Sequence, residues 1–490
     1  MAVTGITTNF IKDKGIGFVS QLANNSDSIA PMLVKDTLSN GAIVYTYSKY
    51  GGKDDAREKA IEEFGTGVVW LLMIPGVKKL IDKTIYPFFK LNPSLDVGAI
   101  VSKEDVKNQI SKNAKLKTSN PIKKALVGFF DDGINKEATK NIQENYLKNS
   151  KNPLLSEEKH IFETLNNPNE TVKNIFKKLN LSKNKVPTNA QMYKGLQVAK
   201  FLIATGASAL ALIKIIKFKQ KTTEQRIEKD FKKKNNASKV LVDKNLNSDK
   251  FYQNFVGKNK TSSPSFTGLE AFMTNPILNT SILDGVITLT RLTEARKGEK
   301  KEVALKEIFQ LIFIYGLAKP IQMGFEKIGE KLKMPIGLDP KVLFDNNLKD
   351  KVSQAKDKIK EINAKNVVEE IYNLDPNHAL VELLENNGVV KTVQKDGKKA
   401  LSCLTPLKEK EILKSFSDIN ELSKNIDNLP KIKGFKLFSV FGNVIIAALA
   451  MGILQPKVAI LMRKLLYNGD NRNPAIVIQE QEMHKKADSV

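Results

Sequence analysis

Residues 437–456 read LFSVFGNVIIAALAMGILQP, twenty residues without a charge, framed by Lys436 and Lys457. At about 1.5 Å per helical residue the stretch spans roughly 30 Å, the thickness of a bilayer's hydrocarbon core. A chain that carries it must bury it in a large helical core or place it in a membrane. Ten of the twenty are Leu, Ile, Val or Phe, which contributes roughly −3 to −6 kcal/mol on an insertion scale. Ser439, Asn443, Gln455 and the glycines offset part of that. Alone, the segment is near neutral to mildly favourable in a bilayer, so its meaning depends on the other apolar segments.

There are four of these: residues 64–77, 201–213, 271–290 and 308–325. The first two are short, roughly 20 Å as helices, in the range of buried or interfacial helices. Pro75-Gly76 interrupts the first. Lysines at the flanks lengthen such helices by snorkelling; residues 195–218 then make one long helix with Lys200 and Lys214 near its ends. Segment 271–290 is long enough but contains Asp284, a candidate intramembrane polar site with Arg291 two turns on. Segment 308–325 contains Lys319-Pro320, a charge and a kink. The charged stretch 291–307 between these two, with Gly298 as its break, fits a helical hairpin. Ala204/Ser208 and Ala448/Gly452 are small-xxx-small pairs that let helices approach closely. Trp70, the one tryptophan, reads as core rather than as an interfacial anchor.

Outside these segments the chain also reads as helix. Asn or Asp before Pro recurs at 92–93, 120–121, 152–153, 167–168, 275–276, 339–340, 375–376 and 473–474. The polar residue caps, and Pro takes the first helical position, where its missing N–H is no loss. Ile412, Phe416, Ile419, Leu422, Ile426 and Leu429 recur at helical spacing. Strand signal is scarce: one hairpin over 389–404 with a turn at Asp396-Gly397, and residues 42–47, which fit a strand or a helix. No fixed-period repeat is visible. The organisation expected is an N-terminal region 1–63, an apolar helix, Lys-rich segment and second apolar helix over 64–218, a polar linker 219–262, an apolar hairpin 263–335, a helical insertion 336–436 containing the small hairpin, an apolar helix 437–467 and a polar tail 468–490.

The net charge of +25 rests almost wholly on Lys; Arg occurs only at 57, 226, 291, 296, 463 and 472. An AT-rich genome writes such a composition, and a bacterial source is the expectation. Scarce Arg disfavours bidentate reading of nucleic acid. Lys point charge suits an anionic lipid surface. Cys403 stands alone and the three histidines are scattered, which argues against a disulfide framework and a metal site. The start lacks a basic region followed by an apolar run, so no cleavable signal peptide is expected. Asn473-Pro474-Ala475 spells the water-channel tripeptide, but here Asn-Pro is the habitual helix start. Phosphate loops, zinc-protease motifs and nucleophile elbows are absent from the sequence. The adjacent pairs Asp131-Asp132, Glu157-Glu158 and Glu369-Glu370 read as solvated.

The expectation is a mainly α protein, a bundle of apolar helices and hairpins embedded in or adhering to the cytoplasmic membrane, with Lys-rich helical insertions and at most one small β-hairpin. Its role is structural or interactive, without enzymatic activity or cofactor, and its partners are anionic lipid and another protein. Candidate headgroup contacts are Lys214, Lys217, Lys219, Lys436, Lys457, Arg463 and Lys464. The main alternative is a soluble helical scaffold with the same segments as core; nucleic-acid binding through lysines and a transporter are minor ones. All five apolar segments are expected to pack as one layer with the Lys-rich intervals outside it.

Overall fold

The computed structural model describes residues 15–23, 29–95, 106, 111, 134–149, 153–181, 186–234, 276–296, 298–362, 367–405, 407–467 and 471–488. The chain is mainly helical, with one two-stranded antiparallel sheet among the described residues. In order, α1 is residues 15–23 and α2 is Ile29–Tyr50. Helix α3 runs Lys53–Phe88, α4 Lys136–Asn149, α5 Pro153–Asn166, α6 Glu170–Lys178 and α7 Asn189–Lys234. After these come α8 (Pro276–Glu294), α9 (Lys300–Lys331), α10 (Pro340–Leu343), α11 (Leu348–Glu361), α12 (Val367–Tyr372) and α13 (Ala379–Asn386). The hairpin β1 (Thr392–Lys395) and β2 (Lys398–Leu401) follows, then α14 (Glu409–Lys424). Helix α15 starts at Leu429 and continues without a break through Gln455–Leu466, and α16 is Pro474–Asp488.

Among the described residues six long helices, α2, α3, α7, α8, α9 and α15, form one bundle that contains the described parts of all five apolar segments; residues 271–275 lie outside the described ones. Its interior includes Ile74, Ala204, Leu212, Ile216, Leu283 and Ile287, with Trp70 packed against them, and a second cluster of Ile43, Tyr47, Ala56 and Ile460. Three of these helices, α3, α7 and the one ending near Leu465, are long and apolar enough to cross a membrane. Many of their apolar side chains face outward: Leu72 is 64% exposed, Leu202 60%, Phe438 63% and Leu449 50%.

Gly452 of the small-xxx-small pair Ala448/Gly452 sits at a close helix contact. A Cβ on Gly452 would lie 2.4 Å from Ala42 Cβ, so α15 and α2 touch backbone to backbone there. Two helices also widen into π turns, Val69–Met73 and Ala450–Leu454. Each comes just before a proline, Pro75 and Pro456, whose missing N–H interrupts the ordinary ladder. The residue before each proline donates five residues back, Ile74 N to Val69 O and Gln455 N to Ala450 O. Pro456 has no N–H to offer the Gly452 carbonyl. The Thr46 hydroxyl of α2 points there at 3.0 Å, sharing its proton with Ala42 O at 2.8 Å.

The two Lys-rich insertions, between α3 and α7 and between α9 and α15, meet at one end of the bundle and form a separate folded body. Its core holds Leu338, Leu343, Leu380, Leu384, Ile412 and Ile419, with Ala138, Ile142 and Tyr146 of α4 packed against it. Asn135 N donates to Leu407 O at 2.8 Å. Glu158 of α5 accepts from Ser402 Oγ at 2.7 Å and Cys403 N at 3.1 Å. The pair Glu157-Glu158 is therefore not simply solvated: Glu158 is buried as the joint between the insertions. Burial, reinforced by the Glu158 carboxylate, pushes the Cys403 thiol well above its ordinary range.

Several local expectations are met. Helices begin at Pro153, Pro276, Pro340 and Pro474. Asp339 and Asn473 cap the last two through their side chains. At 167–168 and 375–376 the helix starts later, at Glu170 with Asn169 as cap and at Ala379 with His378 as cap. Asn92-Pro93 makes a turn rather than a helix. Hairpin residues Asp396 and Gly397 have φ of 49° and 76°, the left-handed pair that a two-residue turn needs. Residues 42–47 are helical, and so are residues 219–234 of the expected linker. The rest of that linker, and Asn120-Pro121, lie outside the described residues.

Candidate functional site: a buried layer of charge at one end of the apolar helices

Acidic residues stand at the start of two apolar segments and basic residues just past the end of the others. Helix direction brings all of them to the end of the bundle opposite the folded insertions. Lys219 Nζ lies 3.0 Å from Glu62 Oε2, and Lys59 Nζ 3.5 Å from the same oxygen. Lys306 Nζ lies 2.8 Å from Glu63 Oε1. Arg291 reaches Glu307 at 2.9 Å, Glu63 at 3.5 Å and the Thr66 hydroxyl at 3.2 Å.

A second tier lies one to two turns further out. Arg463, fully buried, is bidentate to Glu302 at 3.0 and 2.6 Å and donates to Asp55 Oδ2 at 2.6 Å. Arg296 bridges Glu58 at 2.8 Å and Glu299 at 2.7 Å. Asn473 donates to Glu299 at 2.7 Å while its own oxygen caps α16. Burial pushes Glu299 upward, but the hydrogen bond from Arg296, with Lys219 and Asn473, outweighs it and holds the carboxyl at about 2.

Seven carboxylates (Asp55, Glu58, Glu62, Glu63, Glu299, Glu302, Glu307) face six cations (Lys59, Lys219, Arg291, Arg296, Lys306, Arg463) in this layer. Each ion taken from water is penalised by several kcal/mol unless matched. Here every cation touches at least one carboxylate, and four, Arg291, Arg296, Lys306 and Arg463, touch two or more. The arrangement fixes the helix ends relative to one another. No group of three or more His, Cys, Asp or Glu suited to a metal occurs among the described residues.

The opposite ends carry a second polar layer. Lys200 Nζ lies 2.6 Å from Asp82, Lys414 Nζ 2.8 Å from Glu326, and Lys436 Nζ donates to Ile336 O at 2.7 Å. The two layers are evenly spaced along four helices: Glu62 to Asp82, Lys200 to Lys219, Glu307 to Glu326, and Lys436 to Gln455, whose side chain approaches Lys306 O at 3.5 Å. Each interval is 19 or 20 residues, roughly 30 Å of helix.

The residues expected to reach headgroups divide. Lys214, Lys217, Lys457 and Lys464 are exposed, with Lys457 Nζ 5.5 Å from the Tyr50 ring centroid. Lys219, Lys436 and Arg463 are buried. Their charges are satisfied inside the protein, by Glu62, by the Ile336 carbonyl and by Asp55 with Glu302, and do not reach a lipid surface. Asp284 is half-buried on α8, about 10 Å along the helix from Arg291. Sequence reading passed over Glu58, Glu62, Glu63, Glu299, Glu302 and Glu307. The signal was there: acids open the apolar segments that leave this end, and bases close those that arrive. The chain matches no known protein family, no curated protein and no solved structure.

Proposed function

We propose that the six-helix bundle is embedded in a bilayer and that the protein is a non-enzymatic scaffold, anchoring its folded insertions to one membrane face. The observation that carries this reading is the repeated interval of 19 or 20 residues between two polar layers on four helices, which matches a hydrocarbon core of roughly 30 Å. The outward Leu72, Leu202, Phe438 and Leu449 lie within those intervals, where lipid tails would cover them. Exposed Lys214, Lys217, Lys457 and Lys464 sit near the charged end, placed to meet anionic headgroups. A soluble scaffold is the second reading, favoured by a mean hydropathy of −0.28. It requires a partner to cover the outward apolar belt.

Alkaline carbonate extraction of membranes from expressing cells separates the two. Retention of the full chain in the pellet supports embedding, and full release removes it. Neutralising Lys214, Lys217, Lys457 and Lys464 together to Gln is expected to weaken binding of the detergent-solubilised protein to anionic vesicles at low salt. Equal binding by both forms would dispose of the headgroup contact.

A further inference from the structure

Helices α2, α3 and α7 run in the same order and directions as α8, α9 and α15. The first of each trio runs to the charged end and is followed by a glycine of positive φ, Gly52 at +100° and Gly298 at +92°. The second returns, an insertion follows, and the third comes back to the charged end. The sequences agree at a constant spacing of 244. Residues 38–46, LSNGAIVYT, stand against 282–290, ILDGVITLT, and 53–63, KDDAREKAIEE, against 297–307, KGEKKEVALKE. In the third helices the two small-xxx-small pairs coincide, Ala204/Ser208 with Ala448/Gly452.

Environment follows the letters. At the charged end Asp55 matches Glu299, Glu58 matches Glu302, Glu63 matches Glu307 and Lys219 matches Arg463, and all eight are buried. Two residues past each second helix, now 243 apart, stands a lysine of φ 55°, Lys90 and Lys333. The next residue donates back in the same way, Leu91 N to Tyr86 O at 2.9 Å and Met334 N to Gly329 O at 2.8 Å. Each insertion then opens on Leu-Asx-Pro with the same local bond, Ser94 N to Asn92 Oδ1 at 2.9 Å and Lys341 N to Asp339 Oδ1 at 2.7 Å.

The packing between the trios is reciprocal. Ile43 of α2 shares a buried cluster with Ile460 of α15, and their counterparts Ile287 of α8 and Ile216 of α7 share another. Residue i meeting j while j's counterpart meets i's counterpart is the mark of a two-fold interface. One pair of counterparts even meets itself: Glu62 and Lys306 lie 3.6 Å apart. On a two-fold axis two glutamates would repel, and only a duplicated chain can give the two positions opposite charges.

We propose that the chain is a tandem duplication of one three-helix unit, and that the surface formed by a unit's first and third helices is a homotypic docking surface whose partner is a second copy of that unit. The two units stand in parallel about a pseudo-two-fold axis along the bundle, an arrangement membrane proteins also use. The period is half the chain, and few letters are identical, which hides it from a scan for short repeats. The proposal does not rest on membrane embedding.

The test uses the full chain with two cysteine pairs, I43C/I460C and I216C/I287C, and the mismatched pairs I43C/I216C and I287C/I460C. Oxidation is expected to cross-link both matched pairs at rates within about threefold of each other, and neither mismatched pair. Cross-linking of one matched pair alone, or of a mismatched pair, overturns the duplication. A second measurement does not depend on these buried substitutions. A protease site inserted within residues 240–262 and then cut should leave fragments that co-elute in mild detergent; fragments that separate overturn the docking surface. Carbonate release with both matched cross-links intact would remove the membrane reading and leave this one standing.

Discussion

Lys219 donates to Glu62 at 3.0 Å across 157 residues of sequence, and it does so with both side chains buried. Twenty residues after Glu62 and nineteen before Lys219, the same two helices are joined again by Asp82 and Lys200 at 2.6 Å. The antiparallel pair is thus clamped at both ends of an apolar stretch about as long as a hydrocarbon core is thick. The charges mark where the apolar belt stops, and their pairing keeps its helices in register.

Arg463 is the most enclosed member of the charged layer, held between Asp55 and Glu302. Replacing it with Met leaves two buried carboxylates without their cation, which costs about 3–5 kcal/mol. Arg463→Met is expected to lower the thermal unfolding temperature in detergent sharply. Its exposed neighbour Lys464, changed to Gln, should shift stability by less than about 0.5 kcal/mol. Comparable effects of the two substitutions would mean that the layer does not hold the bundle.

The contact between Thr46 and Gly452 makes a separate demand. Thr46→Val keeps the shape but removes the donor for a buried carbonyl that Pro456 cannot serve, at about 1–2 kcal/mol. Gly452→Ala would drive a methyl against Ala42 and the Ser39 carbonyl, and overpacking of this kind costs about 1–3 kcal/mol. Equilibrium unfolding should therefore find both variants less stable. An unchanged midpoint for Gly452→Ala would contradict the backbone-close packing of α2 on α15.

Sequence showed the parts whose signals are local. Apolar runs marked five of the six bundle helices, Asp339 and Asn473 their caps, and Asp396-Gly397 its turn, because each depends on a few adjacent residues; α2, Ile29–Tyr50, carries no such run and lies inside the undivided N-terminal region. Apart from the neighbouring pairs Lys59/Glu62 and Arg296/Glu299, the ion pairs of the charged layer join residues 16 to 408 apart, which spacing alone cannot pair. Read singly, Lys219 and Arg463 look like surface cations after an apolar helix. Only the directions of the helices reveal that acids such as Glu62 and Glu302 arrive at the same level.

Asp418 of α14 gives the folded insertions a pH dependence. Burial pushes its carboxyl up to about 6, with Glu326 and Glu330 adding to the rise and Lys414 and Lys436 opposing it. A folded-state value above the unfolded value of about 3.8 means that the folded form favours the proton. The stability this contributes is complete below about pH 4 and is lost as pH rises through 6. Asp418→Asn should stabilise the protein by about 1–2 kcal/mol at pH 7.5, after discounting for partial exposure, and make no difference near pH 4. A benefit independent of pH would point to packing rather than charge.

The depth of the apolar belt tests the central claim most directly. Spin labels on Leu72→Cys, Leu202→Cys and Leu449→Cys, with Lys464→Cys as the exposed control, can be read in lipid nanodiscs against oxygen and a water-soluble nickel complex. Cys403 is buried and its thiol is held protonated, so it stays unlabelled. The account predicts that the three belt positions collide with oxygen and are shielded from nickel, while position 464 behaves in the opposite way. Nickel access at the belt positions equal to that at 464 would contradict a bundle embedded in the bilayer.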